Sequence, residues 1–154
     1  MTPGVKVVKR AGVDFKLHQY EHDSQSKSYG LEAAEMLNLP VERVFKTLVL
    51  KLSTGRLAVA VLPVGEQLNL KRFASAVGDK KVAMADPQEV ERSSGYVLGG
   101  VSPIGQKKAL PTVLDDSAQA CETIFVSGGR RGLEIELQAN DLLPLVRGKF
   151  AAIT

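Results

Sequence analysis

Short alternating apolar runs and short helical patterns take turns along this chain. Between residues 44 and 63, the runs "VFKTLVLKL" and "LAVAVLP" flank the turn "STGR". Two such runs joined by four residues that include a glycine read as an antiparallel hairpin. "DFKLHQY" alternates and reads as a strand, as do "KVAMA", "LPTVL", "ETIFVSG", "LEIEL" and a final "KFAAI". Helices are signalled by their ends. Thr2-Pro3 reads as a cap and first helical residue and Gly12 as a stop, which predicts a helix over residues 3–11. Asn69 and Gly78 bracket "LKRFASAV", and Asp86-Pro87 and Gly95 bracket the next helix. "LEAAEMLNL" is a short helix ended by Pro40, and "NDLLPLVRG" is a last helix with Pro144 at its centre. "SQSKSYG" and "YVLGGVSPIGQ" are loops. Several strands follow each other through short turns. That predicts an α/β fold of the α+β kind, a mixed and mostly antiparallel sheet with helices packed on it, not a doubly wound parallel one.

Composition narrows the partners. The 154 residues fit one domain with a sizeable core, and no repeat, linker or low-complexity tract divides residues 1–154. The net charge of +3 permits a nucleic-acid partner without demanding one. An aromatic content of 5% without Trp argues against a single-strand binder built on base stacking. No apolar run approaches the roughly 20 residues that span a bilayer. "MTPGVKVVKR" lacks the apolar region of a signal peptide, so a cytoplasmic chain is expected. The lone Cys121 allows no internal disulfide and no cysteine metal cluster. At the start of "CETIFVSGG" it reads as a buried structural thiol on a strand.

Few residues carry chemistry. "GGVSPIGQKK" is not a Walker A loop, because Gln106 follows its last glycine. "SGGRRG" leads into a strand and not a helix, so a dinucleotide site fails on context. Both segments read either as tight turns or as nests whose amides approach an anion or carbonyl oxygen. Ser102 in "GVSPIG" is not a nucleophile elbow. His18 and His22 share a face in "HQYEH", but no third or fourth metal ligand presents itself. Lys46 is the sharpest signal. On a strand it shares a face with Leu48, Leu50 and Leu52. A lysine there either snorkels from the strand end or stands at a pocket, where it binds phosphate or steadies a negative transition state.

The same residues carry a resemblance. "FKTLVL", "GYVLGGVSPIGQKK" and "ETIFVSGGRRGLEIEL", with the opening "MTPGVKVVKRAGVDFKLHQYEHD" and "GLEAAEMLNLP", resemble the YbaK family of bacterial aminoacyl-tRNA deacylases over nearly the whole chain, in order and spacing. The resemblance is closest to the free-standing branch acting on cysteinyl-tRNA(Pro). Related domains, inserted in or detached from prolyl-tRNA synthetase, remove alanine. The resemblance implies a mixed sheet closing into a distorted barrel with helices around it. It implies clearance in trans of cysteine that prolyl-tRNA synthetase mischarges, because a pocket cannot reject so similar a side chain by binding alone. The partners implied are the aminoacyl-tRNA and prolyl-tRNA synthetase, with no membrane, DNA, metal or cofactor. Lys46 falls on the family's signature lysine, and Thr47 follows it. Tyr20 lies on the preceding strand, and Tyr29 stands where an aromatic is expected, although that loop matches loosely. Gly99, Gly100 and Ser102 fall in one glycine loop, and Ser127, Gly128 and Gly129 in the other. The implied chemistry is substrate-assisted: the cysteinyl thiol attacks its own ester to form a thiolactone, and the protein supplies positioning and charge stabilisation. Two alternatives stay open, an alanyl-tRNA(Pro) deacylase of the same fold and a non-catalytic RNA- or protein-binding module.

Overall fold

The computed structural model describes residues 1–23 and 29–154, with the backbone alone for Tyr29 and Gly30. The helices are α1 (Pro3–Ala11), α2 (Tyr29–Met36), α3 (Leu70–Ala76), α4 (Pro87–Ser94) and α5 (Ala139–Val146). The strands are β1 (Phe15–Gln19), β2 (Phe45–Leu52), β3 (Leu57–Pro63), β4 (Val82–Met84), β5 (Thr112–Asp115), β6 (Ile124–Ser127), β7 (Leu133–Leu137) and β8 (Gly148–Ala151). Three helix starts follow the expected chemistry. Thr2 accepts the Val5 amide, Asn69 accepts the Arg72 amide, and Asp86 and Glu89 form a capping box. Gly12 ends α1 at φ 70 and Gly95 ends α4 at φ 82, left-handed positions that suit glycine. Pro144 sits inside α5. Tyr29 and Gly30 open α2 and are not part of a loop, and the rest of "SQSKS" lies outside the described residues. Two 3-10 turns, Val41–Arg43 and Asp116–Ala120, are too short to leave a periodic trace. Among the described residues no helix is long and apolar enough to cross a membrane.

The strands form two sheets, ordered β1-β7-β6 and β4-β2-β3-β5-β8. Four pairings are antiparallel, and β3–β5 and β5–β8 are parallel, so the mixed and mostly antiparallel character holds. The expected closure into a barrel does not: neither sheet closes. The reason lies beside β2. β4 is three residues long and meets only Leu50–Leu52, so the first half of β2 has no strand on that edge. A single parallel bridge, Val44 to Phe125, joins β2's approach to β6, and the two sheets then part.

Both faces of the five-stranded sheet are covered. Phe45, Val49, Val59 and Val61 face the main core, shared with Val5 and Val8 of α1, Ile124 and Val126 of β6 and Leu133, Ile135 and Leu137 of β7. Leu50, Ala58, Ala60 and Leu62 face a second core under Phe73 and Ala74 of α3. The strand is apolar on both faces because both are buried, and Lys46 starts the face under α3 that Leu48, Leu50 and Leu52 continue.

Candidate active site

Where the sheets part, a cavity of about 540 Å³ opens along β2 from Phe45 to Val49. Residues from both faces of β2 reach it, because it lies off the strand's edge. The ladder shows why that edge is chemically open. The Val64 amide donates to the Val44 carbonyl at 2.9 Å, and the Leu52 amide to the Arg56 carbonyl at 2.7 Å. Alternate residues of an antiparallel strand bond to the same partner, so the even positions bond to β3 and the main-chain groups of Thr47 point to the cavity side.

Lys46 is half-buried and has no hydrogen bond or ion pair among the described residues. Burial pulls its ammonium below the ordinary lysine pKa, and Glu66 works against that pull. Thr47 Oγ1 is buried without a hydrogen-bond partner among the described residues. A partnerless hydroxyl and a partnerless ammonium in one cavity wall suit an incoming polar ligand.

Glu134 lines the same cavity, 6% exposed, and sequence reasoning missed it. It lies on β7 on the face opposite Leu133 and Ile135, paired across the sheet with Ser127 and His18. Burial pushes its carboxyl up to about 8, so at pH 7 most of it carries a proton. Tyr20, also in the lining, is pushed up to about 12, first by burial and then by the charge of Glu134. Both groups are proton donors at neutral pH. "LEIEL" reads as a strand, and the strand pattern alone does not mark which of its two acids is buried. The available signal was the hairpin itself, whose short turn places Glu134 opposite Ser127.

The structure brings Tyr20, Lys46, Thr47, Gly99 and Ser127 to the cavity, and leaves Gly100, Ser102, Gly128 and Gly129 out of its lining. Ser102 is fully buried within its own loop, where its hydroxyl accepts the Ile104 amide at 3.2 Å. The glycines are needed for close approach. A Cβ on Gly100 would sit 2.8 Å from Arg130 Cα, and one on Gly129 2.7 Å from the Tyr96 ring, so the two glycine loops and the start of α1 lock together. Their amides are not free nests: Gly100 donates to Val97, Gly128 to Leu133 and Gly129 to Ser127 Oγ. Gly100→Ala is expected to cost ~1–3 kcal/mol of stability by overpacking backbone against backbone. Urea unfolding checks this, and an unchanged midpoint would contradict the packing. The side chain of Tyr29 lies outside the described residues.

His18 and His22 do not share a site. His18 Nε2 meets Glu136 at 2.8 Å, and His22 Nδ1 meets Glu32 at 2.6 Å. Among the described residues no three His, Cys, Asp or Glu side chains come together as a metal site. Cys121 is half-buried and not in a strand: it follows the Asp116–Ala120 turn, and β6 begins only at Ile124. It lines a separate cavity of about 640 Å³ in which the carboxylates Glu42, Glu66, Asp115 and Glu122 outnumber the cation Arg43 and so disfavour an anionic ligand. Size alone would favour that cavity, but its charge does not suit a nucleic acid.

Residues 24–145 match the aminoacyl-tRNA editing domain family. A protein of Enterococcus faecalis, provisionally assigned as a Cys-tRNA(Pro)/Cys-tRNA(Cys) deacylase, is 39% identical over 153 residues, 99% of this chain and 93% of that protein. A proline–tRNA ligase of Thermosipho africanus is 31% identical over 98 residues, 64% of this chain and 17% of the ligase. The crystal structure of a provisionally assigned trans-editing enzyme for prolyl tRNA synthetase superposes with a TM-score of 0.84 at 23% identity, covering 100% of this chain and 98% of that one. At that identity the likeness is one of fold.

Proposed function

The chain belongs to the aminoacyl-tRNA editing domain family, and on that premise we propose that residues 1–154 act as one trans-editing deacylase that clears cysteine from mischarged tRNA(Pro). The observation that carries the reading is Lys46, without a hydrogen bond or ion pair among the described residues, in the wall of a cavity that also holds the buried acid Glu134. The assignment to Cys-tRNA(Pro) is further supported by the name of the Enterococcus faecalis relative.

An aminoacyl ester is already activated, so the protein needs no nucleophile of its own. The cysteinyl sulfur attacks the ester carbonyl. A carbon–sulfur bond forms, the bond to the terminal ribose oxygen breaks, the thiol loses its proton and the ribose oxygen gains one. Water then opens the thiolactone to free cysteine. Lys46 meets the terminal phosphate or the ester oxygens, where negative charge gathers. Thr47 Oγ1, Ser127 and Gly99 orient the acyl group along the edge of β2. Glu134, protonated at neutral pH, or Tyr20 supplies the proton to the departing ribose oxygen.

In this scheme the reacting thiol belongs to the substrate. Cys121→Ser is expected to keep most of the turnover, and seryl-tRNA(Pro) to be cleared far more slowly than cysteinyl-tRNA(Pro). A folded but inactive Cys121→Ser protein would move the reacting thiol onto the chain. Prolyl-tRNA synthetase is the proposed source of tRNA selectivity, because a net charge of +3 over 154 residues is a thin tRNA footprint. Release rates from cysteinyl-tRNA(Pro) and cysteinyl-tRNA(Cys), with and without the synthetase, test this. A discrimination that does not change on adding the synthetase would remove it from the scheme.

A further inference from the structure

His22 belongs to no metal site, yet both of its ring nitrogens are engaged. Nδ1 lies 2.6 Å from Glu32 Oε1, and Nε2 lies 3.3 Å from Arg131 Nη1. A guanidinium can only donate, so Nε2 accepts there and the ring proton sits on Nδ1, aimed at the carboxylate. The two neighbours thus select one neutral tautomer. Glu32 is 6% exposed, and its second oxygen accepts the Asp23 amide at 3.0 Å, which fixes the plane of the carboxylate. A buried carboxylate needs such partners, and a histidine held by one is an oriented histidine. Arg131 carries the line onward, its Nη2 donating to the Leu98 carbonyl at 3.3 Å. The main chain of Arg130 and Arg131 packs against Gly100, with the Arg131 nitrogen 3.2 Å from where a Cβ would stand. Gly99 lines the cavity at φ 87 and is therefore held from both sides, by a side chain before it and a backbone after it. The residue after Arg131 anchors the cavity's phenol in the same way. The Gly132 carbonyl accepts the Tyr20 amide at 2.9 Å, and a Cβ on Gly132 would lie 2.6 Å from the Tyr20 carbonyl oxygen.

We propose that His22 is a positioning residue: as its Nδ1–H tautomer it joins Glu32 of α2 to Arg131 of the β6–β7 turn, and through Arg131 it sets Leu98 and Gly99 against the cavity. Its effect on rate rests on the deacylase reading above, while its geometry does not. A general-base role does not fit, because Nε2 faces Arg131 and His22 is outside the cavity lining. The line Glu32–His22–Arg131–Leu98 ties together three separate pieces of the chain that each bring a residue to the cavity. Leu31 adjoins Glu32, Tyr20 precedes His22 by two residues, and Gly99 follows Leu98. Groups that orient an acyl ester must be placed closely, since a displacement of about 1 Å costs on the order of 10² in rate.

Nitrogen NMR of the His22 imidazole in the wild-type protein tests the tautomer without turnover. A protonated Nδ1 and a bare Nε2 are expected, and the Nε2–H tautomer or an average of the two would overturn the assignment. Two variants then separate bonding from bulk. His22→Phe keeps a ring and removes both hydrogen bonds, and His22→Gln gives up the ring but keeps one donor and one acceptor. His22→Phe is expected to move the Leu98, Gly99 and Gly100 amide resonances and to lower kcat on cysteinyl-tRNA(Pro) about tenfold or more, with KM little changed. His22→Gln should restore most of both. A ring that merely fills space predicts the reverse order, with Phe tolerated and Gln impaired. That order, or unmoved Gly99 resonances in His22→Phe, would overturn the proposal. The expected tautomer and amide shifts in a protein that releases no amino acid would contradict the deacylase reading alone. An active deacylase whose kcat is untouched by His22→Phe would contradict this inference alone.

Discussion

Lys46→Ala is expected to lower cysteinyl-tRNA deacylation by about 10² or more, the scale of losing one preorganised charge stabiliser, while the melting temperature stays level or rises. The two outcomes share a cause. The ammonium is half-buried without a hydrogen bond or ion pair among the described residues, and burial depresses its pKa, so the folded state bears a desolvation cost that the charge of Glu66 returns only in part. Removing it relieves that cost and leaves the substrate oxygens without their cation. Lys46→Arg should also be impaired, because a planar fork does not replace a compact ammonium held by a strand. A lysine that merely snorkels predicts near-normal turnover in both variants. Turnover and melting temperature measured on the same two proteins separate the cases.

Glu134→Gln is expected to change both the pH dependence of stability and the rate. The folded carboxyl titrates at about 8, and the ordinary value is 4.5. Between the two, the folded chain holds a proton that the unfolded chain has released. The stability this group contributes is therefore fully present below about pH 4.5 and is lost as pH rises through about 8. The wild-type melting temperature should fall across that window through this group. Glu134→Gln cannot ionise, so the variant should gain on the wild type as pH rises from 5 to 9. If Glu134 gives the proton to the ribose oxygen, the variant also loses ~10²–10⁴ in rate, and the wild-type rate declines above about pH 8. Melting curves of the two proteins at pH 5, 7 and 9 check the first part. Parallel curves would mean that the acid is not held protonated by burial.

Much of this architecture was legible in the chain because its signals are local. Thr2-Pro3 with Gly12, and Asp86-Pro87 with Gly95, bracket helices through backbone chemistry that needs no tertiary contact. The β2–β3 hairpin is written in its turn. Lys46 was conspicuous because it breaks an apolar face, and it does line the cavity. What was hidden depends on partners far along the chain. Whether a sheet closes turns on how far β4 runs beside β2, and its three residues leave the edge open. Gly100 and Gly129 looked equally suited to nests and to turns, and only the backbone of Arg130 and the ring of Tyr96 decide that they are close-approach positions. Ser102 sits in a motif that resembles a binding loop, yet its hydroxyl is spent on Ile104. Glu134 shares a strand face with Glu136, and nothing in "LEIEL" separates the acid buried in the cavity from the one paired with His18.

The central claim is that this cavity releases cysteine, in preference to alanine, from tRNA(Pro). Purified protein mixed with preformed cysteinyl-tRNA(Pro) and, separately, alanyl-tRNA(Pro) tests it in one time course of amino-acid release. The account predicts rapid loss of cysteine, slow loss of alanine, and a cysteine rate that collapses in Lys46→Ala. Binding of both tRNAs without release, or faster release of alanine, would contradict it.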